Sequence, residues 1–292
     1  MNVFMEFLNE IAPIIIIAAT IIAVCVGSFL NVIIARLPEI LDKQYKDQAY
    51  DILDISPPDI KGEVSENIRR RSACPVCHQP LKPWHNIPII SFIFLRGKCS
   101  FCHTKISWLY PSVELISGLL VFLTLYHFGV TFAALSLCLM YFFLIPLTAI
   151  DLKHFMLPDN LTLPLLWLGL IINCAFVFSS PIQAVLGAVL GYGILWLVFW
   201  VFKFITKKEG MGYGDFKLMA ALGAWFGAPS LLFLIFTSAV IGIVFAIIIS
   251  LRKRRGTSLI PFGPSIAIAG VLYPFIGQAL THEYFQMLFP HF

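Results

Sequence analysis

TFAALSLCLMYFFLIPLTAIDLKH, residues 131–154, decides the class of this chain. Residues 131–150 carry no charge, long enough as a helix to cross about 30 Å of hydrocarbon, and the run stops at Asp151 and Lys153. Comparable runs fill 11–34, 161–178, 182–202 and 230–251. Three weaker ones are 112–127, which carries Glu114; 216–228, with Lys217; and 264–280, interrupted by Pro274. The pattern predicts an all-α polytopic membrane protein of about eight transmembrane helices. With 59% hydrophobic residues, 12% charged and a mean hydropathy of +0.87, an ordinary soluble domain is excluded.

Basic residues orient such a chain, because short loops rich in them stay in the cytoplasm. With the N-terminus outside, all 20 Lys and Arg fall in inside loops: in 35–111, at Lys153, at Lys203 to Lys217, and at Arg252 to Arg255. The outside loops, 128–130, 179–181 and 229, have none. The predicted topology has both termini outside, Asp151 and Asp215 at the cytoplasmic face, and lipid as a constant partner. Glu6 and Glu10 stand where a secretory signal has a positive region, so the first span is expected to remain. Three segments follow: 1–34, a first transmembrane helix; 35–111, a cytoplasmic loop; and 112–292, a membrane domain of about seven helices. The first span ends in GSFLNVIIARLP, 27–38, where Asn31 is expected to bond a neighbouring helix and Pro38 to stop its own.

The loop divides by charge. Glu39 to Glu66, with Pro57 and Pro58, holds mostly acids and reads as a solvated linker with some capacity to attract a basic peptide. Arg69 to Lys105 holds bases only, together with CPVC at 74–77 and CSFC at 99–102. Two residues between cysteines bring both sulfurs onto one ion. Two such knuckles supply the four thiolates of a closed structural zinc site: Cys74, Cys77, Cys99 and Cys102. His78 and His103 complete two C-x-x-C-H strings, the attachment signature of c-type haem. The basic loop's inside location and the lack of a methionine ligand oppose that reading. Cys25, Cys138 and Cys174 lie singly in spans, as packing residues.

Asp151 ends one span and Asp215 begins another, in GMGYGDFKL at 210–218. Two carboxylates at one depth can approach, share a proton, and divide the roles of base and acid, which is how peptide bonds are hydrolysed. Gly210, Gly212 and Gly214 would allow positive φ and a close substrate backbone. Lys153 and Lys217 either bias the pair or reach to the interface. Asp159 reads as a helix N-cap. A proton-coupled transporter with paired acids is the alternative. A zinc-dependent scaffold without catalysis is a further one.

The chain resembles the type IV prepilin peptidases, membrane aspartic proteases with a G-x-G-D motif. GSFLNVIIARLP (27–38), RSACPVC (71–77), NIPIIS (86–91), YPSVE (110–114), AID and LPD within 149–159, GMGYGDFKL (210–218) and PFGP (261–264) carry the resemblance. It implies Asp151 and Asp215 as the catalytic pair and Gly212 and Gly214 as motif glycines. It also implies cleavage of basic leaders from prepilins and type II secretion pseudopilins, and methylation of the new N-terminus from S-adenosylmethionine. No cofactor fingerprint occurs in 35–111, and the resemblance assigns no residue to S-adenosylmethionine. Nothing suggests nucleic acid as a partner.

Overall fold

The computed structural model describes residues 2–55, 73–74, 76–77, 79–208, 210–252 and 261–288. Among these the chain is helical, with two isolated β-bridges and no strand. It parts into two compact units, residues 1–146 and 147–292, at Pro146 inside a continuous helix.

The first unit contains α1 (Asn2–Leu53), a short α2 (Ile90–Phe94), α3 (Leu109–Phe128) and most of α4 (Phe132–His154). Contrary to expectation, α1 continues through Pro38. Proline removes one amide bond and presses on the carbonyl four residues back. The strong helix formers after it, with an Asp42–Lys46 ion pair at 2.6 Å, carry the helix on. The acidic stretch is therefore helix up to Leu53, with Asp42, Asp47 and Asp51 exposed, rather than linker. Pro57, Pro58, Asp59, Glu63 and Glu66 lie outside the described residues. Helices α1 and α3 pack where small residues meet: a Cβ on Gly27 would lie 2.9 Å from the Glu114 Cα, and one on Gly118 would lie 2.5 Å from Val24. Asn31 bonds across this contact as expected, donating to the Tyr110 carbonyl at 3.0 Å.

The second unit contains α5 (Asp159–Asn173), α6 (Pro181–Thr206), α7 (Tyr213–Phe226), α8 (Leu231–Arg252), α9 (Gly263–Leu272) and α10 (Gln278–Leu288). Helix α7 is its centre, packed by α5, α6 and α9, with Asp215, Phe216 and every residue from Leu218 to Phe226 buried. A helix enclosed on all sides is apolar all round, which explains its composition at only 14 residues. Gly187 and Gly223 sit backbone to backbone, each blocking a Cβ on the other, so α6 and α7 approach closely. At the far end of α7, Asn173 donates to the Ala224 and Trp225 carbonyls at 2.8 and 2.7 Å. Its Oδ1 accepts from the Phe178 and Ser179 amides. One side chain thus satisfies the helix terminus and the turn beside it. Pro274 does not break the last apolar segment; a π-turn at Tyr273–Gly277 absorbs it and joins α9 to α10.

Among the described residues, six helical stretches are long and apolar enough to cross a membrane: 12–53, 109–128, 132–154, 181–206, 228–251 and 263–284. Helices α5 and α7, the other two expected spans, are 15 and 14 residues long. The outward face of α8 carries Phe236, Val240, Ile243 and Ile247 at helical spacing, an apolar stripe suited to lipid.

Candidate active site and metal centre

Asp151 lies in the last turn of α4 and Asp215 in the first turn of α7, 5% and 6% exposed. Each is held by a glycine amide. Gly263 donates to the Asp151 Oδ2 at 3.0 Å from the start of α9, and Gly212 donates to the Asp215 Oδ2 at 3.2 Å. Asp215 occupies the third helical position and reaches back to the residue before the helix, half of a capping box. Leu157 closes the arrangement from one side: a Cβ on Gly214 would lie 2.7 Å from the Leu157 Cβ, and one on Gly263 would lie 3.2 Å from its Cδ1. Two helix starts therefore converge on one leucine, and the acids converge with them.

The glycines act differently from expectation. Gly212 has φ −81° and Gly214 lies in helix, so neither needs positive φ. Gly214 is required by the approach of Leu157, whereas a Cβ on Gly212 would meet only the Asp215 Oδ2, at 3.7 Å. Lys217 bonds both carboxylate oxygens of Asp159 at 2.7 and 2.8 Å. Pro158, not Asp159, takes the N-cap position of α5. Asp159 is instead a partly exposed ion-pair partner in the first turn, where the helix dipole also favours it. Lys153 is exposed. The Gly263 amide and Leu157 were absent from the expected site. PFGP and LPD stood out in the sequence, but only the fold brings them to the acids.

In the loop, each cysteine pair sits in a turn closed by one antiparallel bridge, Ala73 to Pro80 and Lys98 to Lys105. The amide of Cys74 donates to the Gln79 carbonyl and that of Cys99 to Thr104, the same offset in both. His103 takes positive φ (56°) in the second turn, and His78 lies outside the described residues. The four sulfurs all lie within 4.8 Å of one another, with Cys74 and Cys102 at 3.7 Å. A tetrahedron with Zn–S bonds of about 2.3 Å places sulfurs about 3.8 Å apart, so the residues fit a single zinc ion. Haem attached to each C-x-x-C pair separately gives the four no reason to converge. The Cys102 thiol is lowered to about 6, first by the Thr104 hydroxyl and then by its amide, and Cys74 is lowered by the amides of Cys77 and Val76. Both favour the thiolate that a metal requires, whereas Cys77, despite the Gln79 amide, is raised to about 11 by burial and the neighbouring thiols. Of the remaining cysteines, Cys138 is packing, in a buried cluster with Val121 and Leu125, while Cys25 and Cys174 are exposed.

Comparison with known proteins now places the chain. Residues 21–128 match the bacterial Peptidase A24 N-terminal domain, and residues 138–247 match the type IV leader peptidase family. A "Prepilin leader peptidase/N-methyltransferase" of Stutzerimonas stutzeri is 44% identical over 96% of this chain and 97% of its own length. The chain belongs to the type IV leader peptidase family. Proteins of the same name from Pseudomonas aeruginosa (44% identical, 93% of each chain) and Neisseria gonorrhoeae (43%, 91% of this chain and 92% of its own) agree. No solved structure matches the chain. The family, together with the six apolar helices, makes this a bacterial multi-span membrane protein and sets the transporter alternative aside.

Proposed function

We propose that Asp151 and Asp215 are the catalytic pair of a prepilin leader peptidase, and that the chain also N-methylates the new N-terminus. The observation that carries this is the meeting of two buried carboxylates from α4 and α7, each oriented by a glycine amide, in a member of the leader peptidase family. One carboxylate takes a proton from water as the water oxygen attacks the scissile carbonyl, and the other donates a proton to the carbonyl oxygen. The tetrahedral intermediate then collapses, expelling the amine, which leaves with a proton returned by the pair. Because like charges this close resist joint ionisation, one shared proton suffices for both roles.

The substrates are prepilins and type II secretion pseudopilins, whose basic leader meets an apolar helix at the cytoplasmic face of the inner membrane. The acids stand at helix ends on that side when the all-inside placement of Lys and Arg sets the topology, with both chain termini periplasmic. Cys74, Cys77, Cys99 and Cys102 would hold zinc, which when bound ties the two knuckles together and leaves no position open for water. S-adenosylmethionine supplies the methyl group when bound; the chain's part is to hold it beside the new amine.

The test is co-expression with a prepilin, reading leader removal on a gel. Asp151→Asn and Asp215→Asn should each lower the rate by about 10²–10⁴, with the double variant hardly worse, since the two act as a unit. Near wild-type cleavage by either, at matched protein levels, would refute the aspartic-protease assignment.

A further inference from the structure

The first unit contains a cavity of about 680 Å³ between α1, the start of α3 and the inner wall of the cysteine turns. That volume falls in the range that accommodates a cofactor-sized ligand. Among the described residues three buried side-chain polar atoms lack a hydrogen-bond partner, and two of them, Asn31 Oδ1 and His85 Nδ1, belong to residues lining this cavity. Asn31 is only 4% exposed, and leaving such a group unsatisfied costs free energy unless something fills its place.

The backbone bonded to one wall residue is also strained. Glu114, 7% exposed, accepts the Ile89 amide at 2.7 Å, and Ile89 sits at φ 60°, ψ −50°, a conformation a β-branched residue rarely adopts. Strain of this kind persists where the surroundings impose it, and such positions cluster at ligand sites. Glu114, Asn31 and His85 all line this one space.

We infer that this cavity is the methyl-donor site, binding a sulfonium nucleoside of the S-adenosylmethionine type. The inference rests on the N-methyltransferase reading above. Such a ligand has a flat base, a ribose diol, two positive centres and one carboxylate. The Glu114 carboxylate and the Asn31 amide oxygen accept from the diol and the ammonium. Phe29, Phe92 and Tyr110 offer faces for the base. Arg36 and Lys105 bring positive charge for the ligand's carboxylate. Cys74 and Cys99 form part of the same wall, so the zinc turns shape the pocket without touching the transferred methyl.

The experiment uses the full-length, zinc-loaded protein in detergent micelles, titrated with S-adenosylhomocysteine by calorimetry. Asn31→Leu and Glu114→Gln should each weaken binding about tenfold or more, as loss of a buried, charge-assisted partner does. Unchanged affinity in both, with melting temperatures matching wild type, overturns the assignment. In case either variant misfolds, the wild-type protein is irradiated with an azido-adenine analogue of S-adenosylhomocysteine and digested. Labelled peptides are expected within 25–36 and 85–114; label confined to 147–292 overturns it equally. Wild-type protein that removes leaders yet binds no S-adenosylhomocysteine sinks the methyltransferase reading itself, whereas binding that is indifferent to both variants sinks only the cavity.

Discussion

Between residues 73 and 108 the only buried apolar side chains among the described residues are Cys74 and Cys99; α2 in the same stretch buries nothing. Helix α7, by contrast, has Phe216, Leu218, Met219, Ala221, Leu222, Ala224 and Trp225 at 0% exposure. Both regions present reactive groups, thiols in one and a carboxylate in the other. The cysteine module has its sulfurs where a core would be, so its order is expected to depend on an ion. The α7 neighbourhood is ordered by close-packed helices and small residues, and it needs no ion to place Asp215.

That contrast can be broken most sharply at the acids. Asp215→Asn should reduce leader removal by about 10²–10⁴ while the purified protein keeps about one zinc, measured by atomic emission. If zinc is lost as well, the two regions are not independent. Removing the metal tests the reverse. A chelator, or Cys99→Ser, should expose 73–108 to limited proteolysis and abolish methylation, while leader cleavage falls by less than about tenfold, because the acids are placed by helix packing. Equal loss of both activities would contradict the division.

Smaller effects sharpen the picture inside the second unit. A Cβ on Gly263 would lie 2.6 Å from the Asp151 Oδ2, whereas one on Gly212 has ordinary room. Gly263→Ala should therefore lower the cleavage rate about 10²-fold, as displacement of a catalytic group by about 1 Å can, and Gly212→Ala much less; the reverse order would show that the carboxylates are held otherwise. Asn173→Leu removes two donated and two accepted bonds at a buried helix end. Denaturation in mixed micelles should show a loss of about 2–4 kcal/mol, and no loss would mean that the turn finds other partners. Least affected should be Asp159→Asn. It weakens an ion pair whose partners are 31% and 51% exposed, worth about 0–1 kcal/mol, and should leave cleavage near wild type.

The sequence made the helical membrane class and the reactive residues legible because those signals are local. A 20-residue apolar run, a C-x2-C pair and an acid beside glycines each declare themselves within a short window. What it concealed depends on distance along the chain. The Gly263 amide lies 112 residues from the carboxylate it binds, and Lys217 lies 58 from Asp159. Asn31 and Glu114 could be noticed as polar residues in apolar runs, but not as the walls of one cavity. Pro38 misled because its local rule is correct for an isolated turn, and the helix formers beyond it outweigh the rule.

The two cysteine turns have a consequence in time. Cys102 follows Cys74 by 28 residues, and translation at about 5–20 residues per second separates them by seconds. During that interval the first knuckle emerges with two thiols and no second pair beside them. If the four thiols take up an ion as proposed, maturation of this protein calls for surroundings that keep nascent thiols reduced until the second turn appears.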